Sequence, residues 1–134
     1  MTTKILATFV LGALLGVIPA LAQRPLEFNV PFDFSIGAQS WSAGKYVVTF
    51  PHQSVLLIRT RDHKKGTFVM TNAAQSSTSS EPSRLVFNRY GEKHFLSKIW
   101  MPYSNDGRVL NKSKTETEIA AQITGGSTIL SASR

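Results

Sequence analysis

The chain has 134 residues, 42% hydrophobic and 17% charged, which excludes a disordered chain and leaves enough apolar material for a packed core. It has no cysteine, which excludes disulfides, thiol catalysis, thiolate metal sites and a lipid anchor on cysteine. Fifteen Lys and Arg against eight Asp and Glu give a net charge of +7.

The first element is an export signal. Lys4 and the amino terminus are positive, Ile5 to Ile18 carries no charge, Pro19 breaks the run, and Ala20-Leu21-Ala22 supplies the small residues that a signal peptidase reads. The competing reading is an uncleaved anchor. Ile5 to Ala22 is near the lower limit for spanning a bilayer and is interrupted by Gly12, Gly16 and Pro19. Residues 1–22 are therefore expected to be a cleavable signal peptide, with Ala20 and Ala22 as its recognition residues. Residues 23–134 would form a single β domain with charge 14 − 8 = +6, no stable membrane span, and a periplasmic or extracellular location.

Leu26 to Ile36 alternates strictly. Leu26, Phe28, Val30, Phe32, Phe34 and Ile36 share one face, with Glu27, Asn29, Pro31, Asp33 and Ser35 on the other. That period predicts a half-buried strand. Pro31 cannot donate to a ladder, so the strand is expected to bend there and to meet different neighbours on each side. Further strands are predicted at Lys45–Phe50, Val55–Thr60, Thr67–Asn72, Arg84–Tyr90 and His94–Met101. Residues 51–54, 61–66 and 91–93 read as turns, and residues 73–83 and 102–107 as loops. Ser113-Lys114-Thr115-Glu116 fits a capping box, in which Ser113 caps the helix and Glu116 reaches back. A helix over residues 114–123 follows, stopped by Gly125-Gly126, and Ser127 to Ala132 forms a last strand or frays. The resulting expectation is an all-β fold. It is a single antiparallel meander of six to eight strands, closed as a small barrel or folded as a sandwich, with a short C-terminal helix.

The phrases NVPFDFSIG, SAGKYVV, SVLLIRT, RLVFNRYGEKHFLSKIW and KSKTETE together resemble a family of small exported bacterial β proteins for which no activity is established. The resemblance covers roughly Phe28 to Glu118. It implies a bacterial envelope setting and a shared β fold, and carries no site residue.

Enzyme signatures are weak. No G-x-S-x-G elbow is present. Ser42-Ala43-Gly44-Lys45 spells S-x-x-K, but Gly44 and the β-branched run after it argue for a turn, where that spacing loses its helical geometry. His52, His63 and His94 fall in or beside three different turns with no second ligand at regular spacing, so no metal and no cofactor are expected. No pair of acids marks a glycosidase cleft, since Asp33 projects to the wet face and Glu116 and Glu118 diverge on a helix. Tyr90, Phe95 and Trp100 have strand spacing that suits a core, and export argues against nucleic acid.

The basic excess is more informative. Arg59, Arg61, His63, Lys64 and Lys65 crowd one hairpin, and alternation puts Arg59 and Arg61 on one face. Such a cluster suits an anionic envelope lipid or polysaccharide, or else a solvated loop that guards a β edge. Trp41, Trp100 and Tyr103 lie near strand ends, where they either plug a barrel or line a mouth for an apolar or sugar ligand. The leading expectation is a non-enzymatic exported protein that binds an anionic envelope component or a small apolar ligand. The alternatives are an assembly subunit that pairs through the edge of strand 26–36, and a hydrolase. The oligomeric state is not legible.

Overall fold

The computed structural model describes residues 25–77 and 82–132, so residues 1–22, with Ala20 and Ala22, lie outside the described residues. In chain order the elements are β1 (Leu26–Val30), β2 (Phe34–Ile36), β3 (Gln39–Trp41), β4 (Gly44–His52), β5 (Val55–Thr60), β6 (Gly66–Gln75), β7 (Arg84–Tyr90), β8 (Lys93–Trp100), β9 (Asp106–Leu110), α1 (Lys114–Ala120) and β10 (Gly126–Ser131). The fold is mostly β with one short helix, as the alternation predicts.

Three features correct the expected architecture. Ten strands are present among the described residues rather than six to eight, partly because the 26–36 run splits and because β3 and β9 are additional. The sheet is mixed rather than a simple antiparallel meander. β4, β5 and β6 follow one another, but β6 then pairs β9, β8 pairs β7 and β9, β10 pairs β7, and β2 meets β8 in parallel at Ser35 and Phe95. Nor is the sheet closed. β1, at one end of the strand order, and β10, which ends the branch through β7, approach each other, but among the described residues no ladder joins them.

The split at Pro31 follows from its missing N–H. β1 pairs β4 in the register Phe28 to Tyr46, and after the break β2 turns to β3 and β8. The parity survives the break. Phe28, Val30, Phe34 and Ile36 are all buried, and Leu26 and Phe32 pack against the same cluster. Trp41, Tyr46, Val48, Leu56, Ile58, Leu85, Phe87, Leu96, Ile99 and Leu110 complete that core from β3, β4, β5, β7, β8 and β9. Each fully buried aliphatic or aromatic side chain contributes about 1.5–3 kcal/mol to a domain that has no covalent staples. Phe34 meets Tyr46 and Phe87 edge to face, and Phe32 meets Phe87 in the same way, the arrangement that ring quadrupoles favour.

β6 changes partners along its length. Gly66 to Met70 pair with β5, and Thr71 to Gln75 pair with β9. β4 runs through Pro51, which sits where its register with β5 shifts between Thr49 and His52, a place that tolerates a lost donor.

α1 begins where the sequence predicts and ends earlier. Ser113 Oγ accepts from the Glu116 N–H at 3.1 Å, as an N-cap should. Glu116 does not reach back to its own turn. Its side chain is 4% exposed and faces β7. The Gly125-Gly126 pair is no helix stop, because the chain leaves the helix at Ala121. A Cβ on Gly125 would press on the Tyr90 ring at 2.8 Å, so glycine there lets β10 pass that ring closely to join β7.

Candidate functional site

The basic hairpin is built at the turn between β5 and β6. The Thr60 N–H donates to the Lys65 carbonyl at 2.8 Å, and the Lys65 N–H to Thr60 Oγ1 at 3.2 Å. Asp62 Oδ1 accepts from Thr60 Oγ1 at 2.6 Å and from the Lys64 N–H at 3.0 Å. Those two bonds, the Thr60 hydroxyl first, hold the Asp62 carboxyl below its ordinary pKa. The loop acid thus serves the turn. His63 takes a φ of 60°, the left-handed corner that lets so short a loop close. The turn is ordered by its own hydrogen bonds, and Arg61, His63 and Lys64 stand exposed around it.

Pairing extends the charge across the outer face. Arg59 lies opposite Val47 on β4 and Gly66 on β6, and the Arg61 N–H donates to the Lys45 carbonyl at 3.1 Å. A Cβ on Gly66 would fall 2.7 Å from Arg59 Cγ, so the arginine stem lies across the glycine. A hollow of about 240 Å³ beside Lys45 and Arg61 is also lined by Glu27, Asn29 and Val47. Four of the side chains gathered here, Lys45, Arg59, Arg61 and Lys64, are cationic, and Glu27 and Asp62 are the acids near them.

Lys65 belongs to a different contact. Its Nζ sits 4.1 Å from the centroid of the Trp41 ring and donates to the Ser40 carbonyl at 3.0 Å. Trp41 is 2% exposed and packs edge-on to Tyr46. The Tyr46 hydroxyl donates in turn to the Ser42 carbonyl. Trp41 is therefore core, sealed on one side by the hairpin lysine.

The three aromatics singled out in the sequence do not converge. Trp41 is opposite Phe34, and the neighbouring Ser35 aligns with Phe95 near the start of β8. Trp100 is five residues further along β8, about 16 Å at the rise of a strand. Its ring covers Gly107, where a Cβ would collide with the ring atoms Cε3 and Cζ3. Tyr103 is 70% exposed on the loop beyond.

A groove of about 440 Å³ separates the β2–β3 hairpin, the start of β8 and α1, with Asp33, Ser35, Trp41, His94, Thr115 and Ile119 among its walls. His94 stacks flat on Phe32, centroids 3.8 Å apart, and its Nδ1 is buried without a well-formed hydrogen bond. Burial pushes the imidazole pKa below 6.5, the Glu92 backbone opposes the shift, and the Arg89 charge adds to it. Asp33 accepts from the Ala43 N–H at 2.9 Å and so anchors the turn into β4. A neutral imidazole in a groove that also carries serine hydroxyls is a start toward general-base chemistry, and among the described residues no carboxylate is hydrogen-bonded to it. Among the described residues no group of three or more His, Asp and Glu is placed to hold a metal.

One buried polar cluster has no signature in the local sequence pattern. Glu116 accepts from Asn88 Nδ2 at 2.9 Å and from the Tyr90 hydroxyl at 3.4 Å, which fastens α1 to the outer face of β7. Burial, then the Glu116 charge, then that hydrogen bond raise the Tyr90 pKa above 10. No protein-family model matches this chain, and no curated protein or solved structure shows a detectable match to it.

Proposed function

We propose that this is an exported, non-enzymatic protein that binds an anionic component of the cell envelope through the outer face of the β5–β6 hairpin. One observation carries the reading. Arg59, Arg61 and Lys45 lie close together on the outer face beside an internally hydrogen-bonded turn that carries Lys64, so four cations stand there against two acids, Glu27 and Asp62. Ordered cations lose less entropy when an anion binds than cations on a free loop do. The signal-like residues 1–22 and the resemblance to small exported bacterial proteins support a periplasmic or extracellular setting.

Retention of the purified protein on an immobilised acidic polysaccharide or on lipopolysaccharide tests it. Binding should weaken steeply with added salt. The triple variant Arg59→Gln, Arg61→Gln, Lys64→Gln should lose it, with Lys65 left in place because it supports Trp41. Retention of the triple variant equal to that of the parent would remove the hairpin from the reading.

A second reading rests on β1. Its residues pair only with β4 among the described residues, so Leu26–Val30 has an unladdered edge, with β10 close to β1, that a further strand could take as an assembly subunit would. The split at Pro31 restricts that edge to five residues. A monomer mass independent of concentration would count against it.

A further inference from the structure

β6 is patterned inside out. Its inward residues are Thr67, Val69 and Thr71, with Val69 packed on the core and Thr71 buried and donating to the Ser54 carbonyl at 3.2 Å. Its outward residues are Phe68 and Met70, 68% and 66% exposed. A strand that served only the core would place its largest apolar side chains inward. The register puts Leu57 beside Phe68 and Val55 beside Met70, both half-buried, so the outward face carries four neighbouring apolar side chains. The same face continues without a break into the cations. Arg59 pairs with Gly66 two residues beyond the Leu57–Phe68 pair and so on the same face, and Arg61 and Lys64 lie at the turn beyond that.

We infer that the occupant of this face is an anionic lipid bilayer, with Phe68 and Met70 entering the acyl boundary while Arg59, Arg61, Lys64 and Lys45 meet the headgroup phosphates. The inference rests on the anion-binding reading above and gives it a partner. Charge complementarity singles out the bilayer. A polysaccharide supplies anions and no hydrocarbon. A second copy in two-fold contact sets cations against cations, or against the partner's apolar stripe. The interface of a leaflet presents phosphate and hydrocarbon side by side at neighbouring depths, as this face presents cation and side-chain carbon.

The test uses vesicles of phosphatidylglycerol mixed with phosphatidylcholine, vesicles of phosphatidylcholine alone, and soluble polygalacturonate. Expected is salt-sensitive binding to the mixed vesicles, far weaker binding to the neutral ones, and a loss of at least about tenfold in vesicle affinity for Phe68→Ser with Met70→Ser. That double variant should still bind polygalacturonate, because its cations are intact. Both positions are surface-exposed, and a circular dichroism spectrum like that of the parent confirms that the variant is folded. Polygalacturonate binding without mixed-vesicle binding, or vesicle binding unchanged by the double variant, would overturn the bilayer and leave the anion-binding reading standing. A concentration-dependent dimer abolished by the same two changes, without vesicle binding, would assign the face to a second copy. Failure to bind any polyanion would instead sink the underlying reading.

Discussion

Lys65 holds its ammonium 4.1 Å from the centre of the Trp41 ring while donating to the Ser40 carbonyl. One lysine therefore ties the turn between β5 and β6 to the short strand β3, and the remaining hairpin cations are presented from a fixed base. Lys65→Met keeps most of the stem and removes the charge. It should cost about 0.5–1 kcal/mol in chemical denaturation and change the Trp41 fluorescence. Lys64→Met, one residue away and exposed, should change neither. Equal effects from the two would show that the ring contact contributes nothing.

Glu116 fastens α1 to the sheet. Removing a buried acceptor strands its donors, so Glu116→Ala should destabilise by about 1–3 kcal/mol. Glu116→Gln keeps an amide oxygen for Asn88 and should lose less. Urea midpoints of the two variants decide the matter, and identical midpoints would mean that the carboxylate is not held as described.

Trp100 leaves no room for a side chain at Gly107. Gly107→Ala forces the ring outward or shifts the backbone of β9, at a cost of about 1–3 kcal/mol. Displacement of the ring should also red-shift its emission, because it moves into water. Full stability with unchanged emission would contradict the packing of these two residues.

Stability should fall at both ends of the pH scale, through different residues. The folded-state pKa of His94 is depressed, so the native state binds its proton less readily than the unfolded chain does. The His94 contribution is complete above about 6.5 and is lost as pH falls from there toward the depressed native value. Tyr90 is the opposite case. Its native pKa is raised, so its contribution is complete below about 10 and is lost as pH climbs through the folded value. Urea unfolding across pH should show His94→Gln flattening the acid limb and Tyr90→Phe flattening part of the alkaline limb. Tyr46, raised by burial and then by the Asp33 charge, supplies another part of the alkaline limb. An acid limb of the same slope in His94→Gln would remove His94 from this account.

Several elements were legible because a single physical rule governs them. β5 and β7 fall where their β-branched and aromatic runs predict, and the parity of Leu26 to Ile36 names six residues that all reach or border the core. Pro31 announced its own break. β9 was hidden because Asp106 and Gly107 read as turn residues, whereas they open a strand whose partners Ala73, Ala74 and Gln75 supply a backbone and little else. The charge of the hairpin was plain in the sequence, but the inward turn of Lys65 was not. Alternation over Thr67 to Met70 separates two faces without saying which is wet, and at Phe68 the ordinary expectation fails. Glu116 carried a local signature that fits a capping box, and its partner Asn88 is 28 residues away, beyond the reach of any local pattern.

The change of partner along β6 means that the sheet has no seam. An opening fluctuation of that strand frees amides on β5 and on β9 together, although those two strands do not pair with each other. Hydrogen exchange should therefore report β5, β6 and β9 as one protected unit rather than as the edges of two.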